Sequence, residues 1–132
     1  MKMKRLRVLC VCRMGQNRSK YLAKYLKGKG YNTRYGGVGH GRIDKIAHTP
    51  INQKDVDWAD IIIVVRKQLN EYLKKEYKVL KKKIIVIDVT DSRRIIGEKF
   101  PELAGLSREE LNKKWVYPQL RKAIKPYLPL KF

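Results

Sequence analysis

Apolar residues along this chain fall into two rhythms. Residues 6–12 (LRVLCVC) are apolar except for Arg7, residues 61–65 (IIIVV) form a continuous β-branched run, and residues 84–87 (IIVI) repeat it. Short runs without polar alternation predict strands covered on both faces. Residues 31–35 are a plausible further strand, second in chain order, leading into the glycine-rich stretch GGVGHGR. Between the runs the period lengthens. Tyr21, Leu22, Tyr25 and Leu26 share one face of a helix predicted over 19–27, which Gly28 and Gly30 stop. Leu69, Tyr72, Leu73 and Tyr77 give a second helix its stripe, and residues 52–60 predict a short helix or turn. Ser107 followed by Glu110 reads as a capping box, with Leu106 and Leu111 as its hydrophobic staple. Pro118 should kink or divide the helix that follows, and Pro126 and Pro129 should end it.

Strands alternating with helices predict an α/β three-layer sandwich, a four-stranded parallel sheet with helices on both faces. The 132 residues suit one domain spanning 1–132. In such a sheet ligands sit beyond the carboxyl ends of the strands. Cys12 lies at one such end, and Asp88 and Asp91 follow another.

Charge changes the picture. Thirty-two Lys and Arg against twelve Asp and Glu leave a net +20, a field that attracts anionic partners. A solvated lysine coat is the simpler reading; nucleic acid is the alternative partner, although no recognised nucleic-acid motif appears. The longest apolar run is far too short to span a bilayer, so no membrane insertion is expected. The basic then apolar start lacks a small-residue cleavage site, so no signal peptide is read and a cytoplasmic location is expected. Cys10 and Cys12 are the only cysteines and occupy neighbouring same-face strand positions, which do not suit a disulfide. His40 and His48 show no metal-ligand spacing, and no metal or other cofactor is called for. GKGYNT lacks the glycine spacing of a nucleotide-binding loop.

The chemistry gathers in VCRMGQNRS, residues 11–19. A turn from strand to helix exposes successive amides, and the helix N-terminus adds partial positive charge. If Arg13, Met14, Gly15, Gln16, Asn17 and Arg18 curl around an anion, their amides and the Arg18 guanidinium can grip a phosphate. The same surroundings favour the thiolate of Cys12, the nucleophilic form. Gly15 suits a sharply bent backbone. Ser19 can donate to the sulfur while capping the helix. Trp58 and the helically spaced tyrosines read as core rather than substrate contacts.

VCRMGQNRS resembles the Cys-x5-Arg-Ser loop of the low-molecular-weight protein tyrosine phosphatase superfamily. DVDWADIIIVV is similar to the segment entering that family's third strand, and IIVIDVTDS to its fourth strand and acid loop. QNRS and DVTD look closest to the branch acting on the C-terminal domain of RNA polymerase II. The resemblance implies a cysteine-dependent phosphatase, most simply for phosphotyrosine, whose substrate is a phosphorylated protein or another phosphomonoester. It implies that Cys12 attacks phosphorus, that Arg18 and the loop amides hold the oxygens, and that Asp91, ahead of Asp88, is the general acid. The chain departs from the family at Lys20, where Pro is usual, and at Gly15, where Asn is common. Asn17 replaces a second loop cysteine, and Ser92 and Arg93 replace the Pro and aromatics that follow the acid. Two rivals stay open: a redox enzyme of the same fold, such as an arsenate reductase, and a basic nucleic-acid binder with an inactive loop.

Overall fold

The computed structural model describes residues 5–13, 15–38 and 49–131. Met14, His40 and His48 lie outside them, so the expectations placed on those residues go no further.

Each apolar run becomes a strand: β1 (Arg7–Cys12), β3 (Ile61–Val64) and β4 (Lys83–Val86). The remaining strand, β2, covers Asn32–Gly37, two residues beyond the expected end. It runs into its glycines because the neighbouring chain leaves no space for a side chain there. A Cβ on Gly36 would stand 2.4 Å from Ile51 Cγ2. All pairings are parallel and the strand order is β2-β1-β3-β4. The order reverses direction between β1 and β3, and the crevice beyond that switch is where sheets of this kind bind ligands. Cys12, at the end of β1, sits beside it.

Period two in the strands divides the side chains between two cores. Val8, Cys10, Cys12, Ile61, Ile63 and Ile85 pack on one face, against Leu22 and Leu26 of α1 (Arg18–Gly28), Ile96 of α4 (Arg93–Lys99), and Leu120 and Ile124 near the C-terminus. Leu9, Val11, Ile62 and Val64 pack on the other, against Val56 of α2 (Gln53–Trp58) and Leu69 and Leu73 of α3 (Lys67–Glu76). The expected three-layer sandwich is present. Asn52 caps α2 by accepting the Asp55 N–H at 2.9 Å. Trp58 corrects the reading that made it core: half-buried, it packs on the margin of the second cluster with the Arg34 guanidinium 4.2 Å over its ring.

Two helical segments frame the site. α4 was not anticipated, since seven residues, RRIIGEK, carry too little period to read; Ser92 starts it by accepting the Ile95 N–H at 3.3 Å. Near the C-terminus, Ser107 accepts the Glu110 N–H at 3.1 Å and its hydroxyl donates to Glu110 Oε1, opening α5 (Arg108–Leu111). The chain continues without leaving the helix through a widened π turn (Asn112–Val116) into α6 (Tyr117–Ile124). Pro118 lacks the N–H that would bond back one turn, and its ring crowds the carbonyl there. The wider turn relieves both problems, so the expected break is a one-turn expansion, a device often found beside functional sites.

Candidate active site

The loop after β1 turns back on its own cysteine. Gly15 N–H donates to Cys12 Sγ at 3.1 Å, and Ser19 Oγ lies 3.0 Å from the same sulfur. With the sulfur ionised, both are donors to it, and the start of α1 adds partial positive charge. Gly15 makes the bend: its φ is +76°, and a Cβ there would stand 2.4 Å from Thr49 O and 2.7 Å from Gly37 N. Gln16 ties the loop outward through Nε2 to Thr49 Oγ1. One expectation is corrected here. Ser19 does not cap α1; the helix starts at Arg18 with Asn17 as its N-cap, and the hydroxyl of buried Ser19 pairs with Cys12 Sγ.

Arg18 is buried and faces the same cavity as Cys12. Its Nη1 donates to Val89 O at 2.8 Å, which anchors the guanidinium to the segment after β4. Nε is 3.4 Å from Asp91 Oδ2, yet buried without an aligned hydrogen bond. A buried cationic N–H in that condition is costly by itself.

Geometry separates the two aspartates that the sequence left side by side. Asp91 lines the cavity, with Oδ2 accepting from Asn17 Nδ2 at 3.0 Å. Asp88 is mostly exposed and clamps the start of α3 instead, accepting the Lys67 N–H at 3.2 Å with Arg66 Nε at 3.6 Å. Asp88 therefore does a turn-former's work. The loop that carries Asp91 is braced twice more: Thr90 Oγ1 accepts the Ser92 N–H at 3.1 Å, and Arg108 Nη1 donates to Asp91 O at 2.7 Å.

Three residues in this arrangement escaped the sequence reading: Asn112, Tyr117 and Arg108. Asn112 and Asn17 exchange hydrogen bonds between their carboxamides, each at 3.1 Å, and Tyr117 OH donates to Asn17 Oδ1 at 3.3 Å. An unpaired buried amide costs about 1–3 kcal/mol, so the exchange fixes both side chains. The one available signal was an asparagine and a proline close together inside an otherwise helical segment.

The cavity measures about 750 Å³ and is lined by Cys12, Arg13, Gln16, Asn17, Arg18, Arg66, Gln68, Leu69, Thr90, Asp91, Ser92 and Arg108. Among the described residues no aromatic side chain lines it. A larger hollow of about 1140 Å³ near residues 74–82 has only Glu76 as a carboxylate, among lysines, and holds no cysteine. Cys10 is distinct from Cys12: burial, then the neighbouring Cys12 charge, push its thiol far above the usual range, so it remains protonated in the core. No group of His, Cys, Asp and Glu able to hold a metal occurs among the described residues, and none of their helices is long and apolar enough to cross a membrane.

No family profile matches the chain, and no curated protein matches it. Solved structures do. A low-molecular-weight protein tyrosine phosphatase from T. tengcongensis superposes with a TM-score of 0.61 at 18% identity, covering 91% of this chain and 95% of that one. YwlE arginine phosphatase from Geobacillus stearothermophilus gives 0.52 at 18% identity, covering 96% and 98%. A YwlE mutant from Bacillus subtilis gives 0.54 at 11% identity, covering 91% and 94%. The chain has the fold of these phosphatases over nearly its full length.

Proposed function

We propose that the chain is a cysteine-dependent phosphomonoester hydrolase acting on phosphorylated proteins. The observation that carries this reading is the sulfur of Cys12, met by the Gly15 amide and the Ser19 hydroxyl, in a cavity that also holds Arg18 and Asp91. Cys12 thiolate attacks phosphorus and the bond to the leaving oxygen breaks, while Asp91 gives that oxygen its proton. Arg18 and amides of the loop between Cys12 and α1 hold the other three phosphoryl oxygens through the transition state. Water then attacks the phosphocysteine, Asp91 takes its proton, and the S–P bond breaks with the Ser19 hydroxyl steadying the departing sulfur. Phosphate leaves.

Cys10 argues against the redox rival. The chain has no third cysteine, and Cys10 is wholly buried within β1, where it cannot swing out to resolve an oxidised Cys12. As to substrate, the cavity's arginines, glutamines and hydroxyls favour a short phosphorylated side chain, such as phosphoserine, over the phosphotyrosine suggested by the resemblance. Phosphopeptides carrying phosphotyrosine, phosphoserine or phosphoarginine, compared by kcat/KM, decide among them.

The mechanism is tested with an aryl phosphate in the presence of chelator. Cys12→Ser should be inactive, since a serine alkoxide is not available near neutral pH. Asp91→Ala should slow turnover by roughly 10²–10⁴-fold, whereas Asp88→Ala should stay within about threefold, since Asp88 pairs with the Lys67 N–H and with Arg66 on the cavity wall rather than with Cys12, Arg18 or Asp91. A Cys12→Ser enzyme turning over at the wild-type rate would overturn the reading.

A further inference from the structure

Asn112 lies 95 residues from Asn17 in sequence, at the start of the π turn, and is buried. Asparagine is a poor choice for a helix interior, and buried polar groups are retained with partners. What its partners achieve is directional. An asparagine carboxamide can sit either way round, with oxygen and nitrogen exchanged. Here the Asn17 oxygen faces two donors, Asn112 Nδ2 and Tyr117 OH. That leaves the Asn17 nitrogen to face two acceptors, Asn112 Oδ1 and Asp91 Oδ2. The reverse orientation would set an oxygen against the Asp91 carboxylate and an NH2 group against Asn112 Nδ2. Tyr117 is itself held, its ring stacked on that of Tyr21 at 3.9 Å with 3° between the planes.

We infer that Asn112 is a positioning residue for Asp91, acting through Asn17 to decide which carboxyl oxygen carries the catalytic proton. Oδ2 receives the Asn17 N–H and stands 3.4 Å from Arg18 Nε, so it is the oxygen kept as an acceptor. Oδ1 then carries the proton to the leaving group. Asn112 opens the widened turn that precedes Pro118, and from there it reaches the loop after β1. This rests on the reading of Asp91 as the acid, and it adds a residue that touches neither substrate nor sulfur.

A residue acting through the acid must matter most when the leaving group needs protonation. The test compares para-nitrophenyl phosphate, whose anion leaves readily, with phenyl phosphate, whose anion does not. Asn112→Ala should lower kcat/KM, which reports phosphoryl transfer before the shared phosphocysteine step, on phenyl phosphate by about tenfold or more and on the nitro compound by no more than about threefold, a fraction of what a general acid supplies. Inhibition by inorganic phosphate should stay within about twofold, because the Gly15 and Ser19 contacts to Cys12 Sγ do not involve Asn112. In an Asp91→Ala background the same substitution should change the rate less than about twofold. Equal losses on both substrates, or an undiminished loss without Asp91, would overturn the inference. Tyr117→Phe removes one donor and supplies the same comparison should Asn112→Ala fail to fold, with a loss of about threefold confined to phenyl phosphate. An Asp91→Ala loss equal on the two substrates would sink the acid assignment itself, a distinct outcome.

Discussion

Gly15→Ala puts the anion-binding loop to its sharpest test. The added Cβ would meet Thr49 O at 2.4 Å, Gly37 N at 2.7 Å and a Gly36 backbone carbon at 2.8 Å, all main-chain atoms that cannot rotate aside. Reaching an ordinary contact of 3.4 Å from Thr49 O requires about 1 Å of movement by the loop or its neighbour. Alanine at φ +76° also carries a left-handed strain of roughly 1–2 kcal/mol. At about 2.1 cal/mol/K per residue, 132 residues unfold with about 0.28 kcal/mol/K, so that strain lowers Tm by about 4–7 °C. Activity should suffer far more. A displacement of about 1 Å at a catalytic constellation costs about 10²-fold, equivalent to about 2.7 kcal/mol of barrier. The assay is kcat/KM for an aryl phosphate at a temperature well below both melting points, paired with the inhibition constant for inorganic phosphate. Both should weaken together, since in the proposed mechanism the same amides bind the ground-state anion and the transition state. Gly28→Ala is the control: nothing lies within 4 Å of its Cβ, and it should leave activity unchanged. A Gly15→Ala enzyme within about threefold of wild type would refute the claim that this bend places the loop.

Two further outcomes follow from the cysteines and their neighbours. Ser19→Ala removes the one side-chain hydroxyl at Cys12 Sγ and should slow phosphocysteine breakdown about tenfold or more, visible as a larger burst of leaving group followed by a slower steady state; a decrease confined to KM would contradict that role. Cys10, with its thiol pushed up by burial, keeps its proton in the folded state while the unfolded chain loses it above about pH 8.5. The folded state then binds more protons, so stability should fall with rising pH by up to about 1.4 kcal/mol per unit from this group, and none of the loss occurs below that range. Denaturant titrations between pH 9 and 11 should show a flatter slope for Cys10→Ala; identical slopes would count against it.

The strands, their parallel pairing and the helices on both faces followed from local pattern, because covered strands and amphipathic helices each advertise their period within a few residues. The thiol at the end of β1, its polar loop and Arg18 were equally legible, since strand, turn and helix start are consecutive in the chain. Local pattern alone does not rank Asp91 against Asp88, and only the resemblance put Asp91 first. Both follow β4, and only the packed loop turns one into the cavity while the other clamps α3. Local pattern was silent, too, on Asn112, whose place opposite Asn17 depends on a π turn and on where α6 docks beside α1. A local rule places a cap at Ser19, but the helix starts one residue before it, so Ser19 lies inside α1 and its hydroxyl pairs with the nearby sulfur instead. Local chemistry was written in neighbouring residues, whereas choices among equivalent groups were made by contacts between segments far apart in the chain, which exist only once both cores have closed.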